Sequence, residues 1–368
     1  MNAKTRVYLI FGGRSTEHEV SLMSARNVLQ ALDRNKYEVV PIGITKEGRW
    51  LLTGDPLKAL TEGVTAAGGQ PVGLLGDPTQ ADLLALAESA PALGPADQVV
   101  FFPVLHGAYG EDGTIQGLLE MANVPYVGCG VLASSVGMDK GVAKALFQQA
   151  GLTVAPYKVY LRRDWERDPA AVKADVEATF AGEFPVFVKP ANLGSSVGIT
   201  KVKRPEDLDR AFAEAVRFDR RILVEKGIDA REIEVAVLGN DDPIASIAGE
   251  ILPGAEFYDY NDKYFSDRSQ VRIPADLPDD LMQEFRRQAV VAFKAIDGSG
   301  MARVDFFLER GTNRIYINEV NTIPGFTRIS MYPKLWEASG ISYSELCDRL
   351  IQLALERHAD KNRNATSV

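Results

Sequence analysis

A glycine- and serine-rich loop follows an apolar strand in the middle of the chain, in the stretch VFVKPANLGSSVGITKV at 186–202. Lys189 precedes this loop, whereas in a P-loop the lysine follows the glycines and a helix comes next. Glycines let the backbone approach phosphate oxygens closely, and the hydroxyls of Ser195 and Ser196 can donate hydrogen bonds to them. The stretch is therefore a candidate phosphate site, although a glycine-rich hairpin taken alone is equally compatible with a flexible turn.

Acidic side chains near the end of the chain could hold the cation that accompanies such phosphates. Residues 301–309 and 314–320 predict two strands joined by a turn. A hairpin centred on Thr312 would place four polar side chains on one face of the sheet, in two opposed pairs: Asp305 with Glu319, and Arg303 with Asn321.

The opposed carboxylates Asp305 and Glu319 need a positive charge nearby, because like charges directly across a sheet are unfavourable. Two carboxylates and an amide oxygen form the hard-oxygen set that suits Mg²⁺ or Mn²⁺ carried on phosphates. The alternative is a surface ion-pair patch that Arg303 neutralises. Because a lysine also stands at the base of the glycine-rich loop, the two features together favour a nucleoside triphosphate site.

The elements that must position these residues are of two kinds. In the first third of the chain, an amphipathic helix separates the first two of four apolar strands, at 7–11, 38–44, 99–104 and 124–128. Alternation of strand and helix predicts an open parallel α/β sheet. After this third, a helix that Asp139 could cap is followed mainly by strands and hairpins, which predicts α+β structure.

Length and composition restrict the class of protein. A chain of 368 residues is too long for one ordinary core, so we expect two or three domains. A formal charge of −9 argues against a basic surface that binds nucleic acid. The chain has two cysteines and three widely separated histidines, which argues against a disulfide framework and a zinc site. Its longest uncharged run, 121–138, contains Pro125 and several glycines and does not read as a membrane helix, so we expect a cytoplasmic protein.

Several stretches, in order and spacing, resemble the D-alanine–D-alanine ligase family of ATP-grasp enzymes. The resemblance extends over nearly the whole chain and is weakest in 50–95 and at the C-terminal tail. The stretches that carry it are FGGRSTEHEVS (11–21), HGAYGEDGTIQGLLE (106–120), PYVGCGVLASSVGMDK (125–140), VKPANLGSSVGITKV (188–202), YDYNDKYFSD (258–267), ARVDFFL (302–308) and NEVNTIPGFTRISMYPKL (318–335).

The resemblance implies an N-terminal α/β domain at 1–137 and a two-lobed ATP-grasp domain. The small lobe, 138–220, would carry the glycine-rich lid over the phosphates. The large lobe, 221–358, would carry the metal site and a mobile loop at 255–270, and 359–368 would be a disordered tail. The implied reaction is ATP-dependent formation of D-alanyl-D-alanine through an acyl phosphate, for peptidoglycan synthesis, in a homodimer.

On the nucleotide side, the resemblance implies contacts to ATP and to two Mg²⁺ or Mn²⁺ ions. The phosphates would be bound by Lys140, Lys189 and Ser196. Adenine would lie at Glu225 and Lys226, and the ribose hydroxyls at Glu232. The metal ligands would be Asp305, Glu319 and Asn321.

On the amino-acid side, the resemblance implies that Glu17 binds the ammonium of the first D-alanine. Ser195 and Tyr264 would hold the Glu17 carboxylate in place. The remaining implied residues surround the reacting carbonyl and the second substrate: His106 near the first carboxylate, Arg303 and the Gly325 N–H at the oxyanion, Ser330 and Met331 at the second carboxylate, and Lys263 on the lid. Three of these residues have a simpler interpretation from sequence alone: Glu17 as an acid in a first helical turn, His106 as a partly buried loop histidine and Ser330 as a turn serine.

Other functions remain open at this point. A D-alanine–D-lactate ligase or another ATP-grasp carboxylate–amine ligase would share most of these motifs, but the pair Lys263 and Tyr264 is typical of the dipeptide-forming branch. A nicotinamide oxidoreductase is disfavoured because LIFGGRSTE lacks the G-x-G-x-x-G spacing. A nucleotide-binding regulator without chemistry is disfavoured because binding alone does not require Arg303 beside the acidic set.

Overall fold

The computed structural model describes residues 4–65, 68–79, 83–86, 98–252 and 270–365, which form three β-sheets. Most of the predicted mobile loop, with Lys263 and Tyr264, lies outside the described residues. The N-terminal elements are β1 (Thr5–Gly12), α1 (His18–Ala31), β2 (Tyr37–Ile44), β3 (Trp50–Thr53), α2 (Pro56–Glu62), β4 (Gly69–Leu74), β5 (Leu83–Ala85), β6 (Val99–Val104), α3 (Thr114–Met121) and α4 (Val131–Met138).

The first sheet has the strand order β5-β4-β3-β2-β1-β6. Strands β2, β1 and β6 are parallel, which confirms the predicted open parallel α/β sheet. Strands β3, β4 and β5 extend it as antiparallel neighbours, in a part of the chain where the sequence gives little signal. The predicted strand at 124–128 is wrong, because this segment makes only a single parallel bridge, from Tyr126 to Phe101.

The second sheet is antiparallel, with the order β7-β10-β8-β9, and it carries the glycine-rich loop between β8 and β9. Trp165 and Phe212 stack in its core, with ring centroids 4.5 Å apart. Its elements and the preceding helix are α5 (Lys140–Gln149), β7 (Tyr157–Leu161), α6 (Arg162–Arg167), α7 (Pro169–Thr179), β8 (Val186–Pro190), β9 (Thr200–Val202), a 3₁₀ turn (Pro205–Asp207), α8 (Leu208–Ala215) and β10 (Arg221–Lys226).

The third sheet is also antiparallel, with the order β13-β12-β11-β14-β15. Phe285 of its covering helix packs edge-on against Phe306, and both side chains are buried. The elements are β11 (Ala230–Gly239), β12 (Ile244–Leu252), β13 (Gln270–Arg272), α9 (Asp279–Ala295), β14 (Gly300–Glu309), β15 (Ile315–Asn321), α10 (Met331–Ala338) and α11 (Tyr343–Lys361).

The β14–β15 hairpin has the predicted register at the acidic set and a different register near the turn. Asp305 lies opposite Glu319 and Arg303 lies opposite Asn321, as a hairpin centred on Thr312 predicts. Between Asp305 and Phe306 the register shifts by one, so that Phe306 pairs with Ile317 and Asn318 has no opposite residue. Near the turn, the hairpin is therefore centred between Gly311 and Thr312, and the β-bulge at Asn318 restores the register centred on Thr312 at Asp305.

Helix α11 joins the first sheet to the third. The Arg357 guanidinium donates hydrogen bonds to the Ser299 Oγ at 2.6 Å, to the Tyr126 carbonyl at 3.0 Å and to the Gly128 carbonyl. It also lies 4.3 Å from the centroid of the Tyr126 ring. The helix extends to Lys361, into the segment that the sequence predicts as a tail. No helix in the described part of the chain combines the length and apolar character that crossing a membrane requires.

We predict that Arg357→Met lowers the free energy of unfolding by about 2 kcal/mol, because two carbonyls and a hydroxyl lose a charged donor in a partly buried place. Urea unfolding measures this loss. Arg349→Met is the matched control, since it removes an exposed i,i+4 pair with Glu345 on the same helix and should cost about 0.5 kcal/mol or less. Equal losses for the two variants would contradict the joining role of Arg357.

Candidate active site

A cleft of ≈ 540 Å³ lies between the second and third sheets. The glycine-rich loop forms one wall, and strands β11, β14 and β15 form the other. Every described residue that the sequence predicts for the nucleotide lines this cleft, together with two of the predicted metal ligands: Lys140, Lys189, Ser196, Glu225, Lys226, Glu232, Asp305 and Glu319. The tertiary structure therefore brings together residues that the sequence spreads over almost 180 positions.

Lys140 is the first residue of α5, and it connects the two walls of the cleft. Asp139 caps the helix as predicted, accepting hydrogen bonds from the Gly141 and Val142 N–H groups at 3.0 Å. The Lys140 Nζ donates to the Leu193 carbonyl of the glycine-rich loop at 2.8 Å and lies 3.3 Å from the Glu319 Oε2. An ammonium in this place can face phosphate oxygens from below the loop.

A buried cluster of two lysines and one carboxylate lies at the inner end of the cleft. The Lys144 Nζ is 3.2 Å and the Lys189 Nζ 3.5 Å from the same oxygen, the Glu225 Oε2. Burial opposes ionisation of Glu225, but the charges of Lys144 and Lys189 keep the pKa of its carboxyl below the ordinary value. Sequence reasoning missed Lys144, although its place one helical turn after Lys140 indicates the same face of α5.

The acidic set on β14 and β15 has the chemistry of a divalent-cation site. Asp305 accepts two hydrogen bonds from Arg303, each at 2.7 Å, and one from the Asn321 Nδ2 at 2.9 Å. Among the described residues, no group of three or more acidic, histidine or cysteine side chains is placed to hold a metal ion. The oxygens of Asp305, Glu319 and Asn321 fit a cation that also takes ligands from phosphate, as Mg²⁺ does.

Glu234 is a further acid that sequence reasoning missed. It lies on β11 directly opposite Asp305, so Glu234, Asp305 and Glu319 form a row across three strands. The Arg303 Nε lies 3.0 Å from the Glu234 Oε2, so this arginine joins two members of the row, and the predicted ion-pair patch is present. Two-residue alternation from Glu232 could have identified Glu234.

A smaller cavity of ≈ 100 Å³ adjoins the cleft, since Ser195 and Glu319 line both spaces. It holds the described residues that the sequence predicts for the amino acids, and the third metal ligand: Glu17, His106, Ser195, Arg303, Asn321, Gly325, Ser330 and Met331. Each predicted site residue within the described part of the chain therefore lies in one of two adjoining spaces.

The Glu17 side chain contacts the glycine-rich loop and does not cap helix α1. Helix α1 begins at His18, and within the described structure the Glu17 side chain makes no capping hydrogen bond. Its Oε1 instead accepts a hydrogen bond from the Ser195 hydroxyl. The predicted pairing of Glu17 with Ser195 is therefore present, whereas Tyr264, the third expected member, lies outside the described residues.

Glu111, in the stretch HGAYGEDG, lines the small cavity together with Glu17 and is a further acid that the sequence does not single out. Its two carboxyl oxygens accept hydrogen bonds from the Gly107 N–H at 2.7 Å and the Ile323 N–H at 3.2 Å. Burial, and secondarily the charge of Glu17, raise the pKa of Glu111 to about 8. The Glu17–Glu111 pair is thus a place where an ammonium would be stabilised.

His106 is held in one neutral form by the protein. Its Nδ1 lies 3.0 Å from the Ile323 carbonyl and therefore carries the proton, and its Nε2 accepts from the Ser24 Oγ at 2.9 Å. Burial lowers the pKa of His106 to about 4. Ser24 in turn accepts a hydrogen bond from the Phe326 N–H at 3.1 Å. Both ring nitrogens are thus used to fix the loop that contains Gly325.

Gly325 and Ser330 are in close contact. A Cβ at Gly325 would lie 2.7 Å from the Ser330 Oγ, so a larger residue would displace the serine. The Ser330 Oγ accepts from the Thr327 N–H at 3.0 Å and shares a hydrogen bond of 2.7 Å with the Thr327 hydroxyl. Ser330 therefore makes the hydrogen bonds expected of a serine in a turn, and it also lines the small cavity.

We predict that the stability of Glu111→Gln relative to wild type increases from pH 5 to pH 8. The pKa of about 8 lies above the ordinary carboxyl value of 4.5, so in this range the folded protein holds a proton that the unfolded chain has released. Below pH 4.5 the raised pKa contributes its full stabilisation of the folded protein, and this contribution is lost as the pH rises through 8. The neutral amide of Glu111→Gln does not titrate, so the variant does not lose stability in this way. Urea unfolding should show the difference growing by up to about 1.4 kcal/mol per pH unit.

The matched control for this measurement is Glu214→Gln, which replaces an exposed carboxylate on α8 and should change stability equally at each pH. A difference between Glu111→Gln and wild type that does not vary with pH would contradict the raised pKa of Glu111.

Comparison with known proteins agrees with this geometry. Family models described as D-ala D-ala ligase N-terminus and D-ala D-ala ligase C-terminus match 6–129 and 146–352. A D-alanine–D-alanine ligase of Heliobacterium modesticaldum is 53% identical over 363 residues, covering 99% of this chain and 98% of the relative.

Two solved structures extend the comparison to the fold. The D-alanine-D-alanine ligase from Coxiella burnetii is 38% identical, with a TM-score of 0.85 over 98% of this chain and 97% of that chain. The VanG D-Ala:D-Ser ligase from Enterococcus faecalis is 37% identical, with a TM-score of 0.85 over 95% of this chain and 99% of that chain. With both family models matched and a curated relative similar along its full length, this chain belongs to the D-alanine–D-alanine ligase family.

Proposed function

We propose that this protein uses ATP to join two D-alanines, giving D-alanyl-D-alanine, ADP and phosphate, for peptidoglycan synthesis. The observation that carries the proposal is that the two cavities share a wall formed by Ser195 and Glu319, with Lys140 and Lys189 lining the larger cavity and Glu17 the smaller one. Phosphate charge and an ammonium group can therefore be bound in adjoining spaces. The similarity to a D-alanine–D-alanine ligase at 53% identity supports the same substrates.

The chemistry follows from the weakness of a free carboxylate as an acyl donor. The carboxylate of the first D-alanine attacks the γ-phosphorus of ATP, which gives D-alanyl phosphate and ADP. The amine of the second D-alanine, after losing a proton, attacks the acyl carbon, and phosphate leaves. The protein contributes mainly by holding the groups in line and by stabilising the charge that develops.

On the nucleotide side, we assign Lys140, Lys189 and Ser196 to the phosphates, because they lie at the loop and at its base. The remaining contacts follow the family pattern within the same cleft: Glu225 and Lys226 at adenine, and Glu232 at the ribose hydroxyls. Lys226 also pairs with Glu183, so its position at the cleft is fixed by a second charge.

We assign Asp305, Glu319 and Asn321 to two Mg²⁺ or Mn²⁺ ions. Bound there with the phosphates, the metal would neutralise charge on the transferring phosphoryl group. Asp305 would exchange its present contacts with Arg303 for the cation, while Glu234 could keep Arg303 in place. The arginine would then be available for the oxyanion of the tetrahedral intermediate.

On the amino-acid side, we assign the ammonium of the first D-alanine to Glu17, oriented by Ser195. Arg303 and the Gly325 N–H would donate to the oxyanion. The contacts to the second carboxylate and the lid follow the family pattern: Ser330 and Met331 for the carboxylate, and Lys263 and Tyr264 for the lid. We assign His106 a positioning role at the first carboxylate, because the protein already uses both of its nitrogens.

The remaining proposals concern the domain bounds, the oligomeric state and the location in the cell. We propose a domain at 1–137 and two lobes at 138–220 and 221–358, followed by a short tail at 359–368. Strand β10 (Arg221–Lys226) belongs to the second sheet and α11 ends at Lys361, so we extend the first lobe to 226 and begin the tail after Lys361. We also propose a homodimer in the cytoplasm, where ATP is supplied. Light scattering of the purified protein measures its mass in solution, and a monomer would remove the homodimer assignment.

The decisive experiment is product analysis with ATP and Mg²⁺. D-alanine should be supplied alone, with equimolar D-lactate, and with equimolar D-serine, because one similar structure is a D-Ala:D-Ser ligase. We expect D-alanyl-D-alanine as the main product at pH 7 in all three reactions. Mainly depsipeptide or D-alanyl-D-serine would reassign the second substrate, and ATP use without either would overturn the ligase function.

We predict that Glu319→Gln lowers kcat by about 100-fold or more, because an amide is a weak ligand for Mg²⁺ and the charge on the phosphoryl group is then less well neutralised. Steady-state kinetics measures the loss. Glu309→Gln is the matched control, since it lies on the same hairpin near the turn, where it accepts from the Thr312 hydroxyl. Near-normal turnover in Glu319→Gln would remove this residue from the metal site.

A further inference from the structure

Lys144 is a fully buried lysine that points at the nucleotide cleft without lining it. Its side chain is 1% exposed, and it is not among the described residues that line the cleft. Its Nζ lies 3.2 Å from the Glu225 Oε2, but in a direction poor for hydrogen bonding. A buried ammonium is costly unless it is compensated, so this position calls for an explanation.

The cluster contains more positive than negative charge. Lys144 and Lys189 share one oxygen of Glu225, at 3.2 and 3.5 Å, and all three side chains are buried. If Lys189 turns to a phosphate, Glu225 must remain paired, because an isolated buried carboxylate is strongly unfavourable. Of the two lysines, only Lys189 lines the cleft, so Lys144 is the one that can remain.

We propose that Lys144 is a positioning residue that keeps Glu225 paired and thereby releases Lys189 for the nucleotide phosphates. The proposal rests on the phosphate role of Lys189 under the proposed function. Lys144 can take over the pairing with little movement, since its Nζ already lies 3.2 Å from the Glu225 Oε2, the same oxygen that Lys189 would leave.

The electrostatics of the cluster agree with this role. Burial lowers the pKa of Lys144, and the charge of Glu225 opposes that effect. Lys144 also lies one turn after Lys140, so α5 directs one lysine at Glu319 and the next at Glu225. The helix therefore supplies charge to both walls of the cleft.

The test is inhibition by magnesium tripolyphosphate, competing with ATP, because this probe contacts the phosphate site and has no base or ribose. In Lys144→Met, Glu225 should retain Lys189, and we expect the Ki of tripolyphosphate and the KM of ATP to rise about tenfold. The KM of D-alanine should stay unchanged. Lys173→Met is the matched control, because it breaks an exposed pair with Asp209 in the same lobe and should leave Ki unchanged.

A double variant separates positioning from simple support of the fold. In Lys144→Met combined with Glu225→Gln, the neutral amide needs no cation, so Lys189 is released and the Ki of tripolyphosphate should return to within about threefold of wild type. If Lys144 only supported packing, the second substitution would leave Ki raised or increase it further.

The outcomes are distinct. An unchanged Ki in Lys144→Met, or no recovery in the double variant, overturns the inference. An unchanged Ki in Lys189→Met overturns it together with the phosphate role of Lys189, while dipeptide synthesis by the wild type still upholds the ligase function. If Lys144→Met does not fold, Lys144→Gln removes the same charge while keeping a donor for Glu225, and the same rise in Ki is expected.

Discussion

The site depends on charge balance between lysines of one helix and carboxylates of two sheets. Lys140 lies beside Glu319 of the third sheet, and Lys144 beside Glu225 of the second. Because buried ions are tolerated only in pairs, these contacts fix where α5 lies between the sheets. Lys189 adds a second positive charge at Glu225, so the cleft holds cations ready for a ligand that brings several negative charges.

The end of the site that we assign to the amino acids is held by helix α1 and by the turn after β6. Ser24 and His106 bind the backbone of Phe326 and Ile323, and Glu111 binds the Ile323 N–H from the other side. The loop with the proposed oxyanion donor is thus fixed from α1 and from the turn after β6. Such support by surrounding hydrogen bonds is what holds a donor in place before charge develops.

The β14–β15 hairpin shows how local irregularity can leave a site intact. Counting from a symmetric turn at Thr312 places Asp305 opposite Glu319, and the structure has this pair. The turn itself closes elsewhere, and the bulge at Asn318 restores the register. The count from Thr312 gives the correct pair because the bulge compensates for the shifted turn. Beyond the bulge, the alternation of side chains across the sheet is preserved.

The sequence by itself determined the parallel character of the first sheet, the cap at Asp139 and the register of the acidic pair, because these follow from local periodicity and spacing. The pattern of site residues came from the resemblance of its motifs to a known family. Only the tertiary structure identified Glu111, Lys144 and Glu234. Periodicity places Lys144 on the face of Lys140 and Glu234 on the face of Glu232, but it does not show that either side chain is buried beside an opposite charge. Their burial beside opposite or like charges arises from the packing of three sheets, and no local pattern records which distant charge a side chain meets.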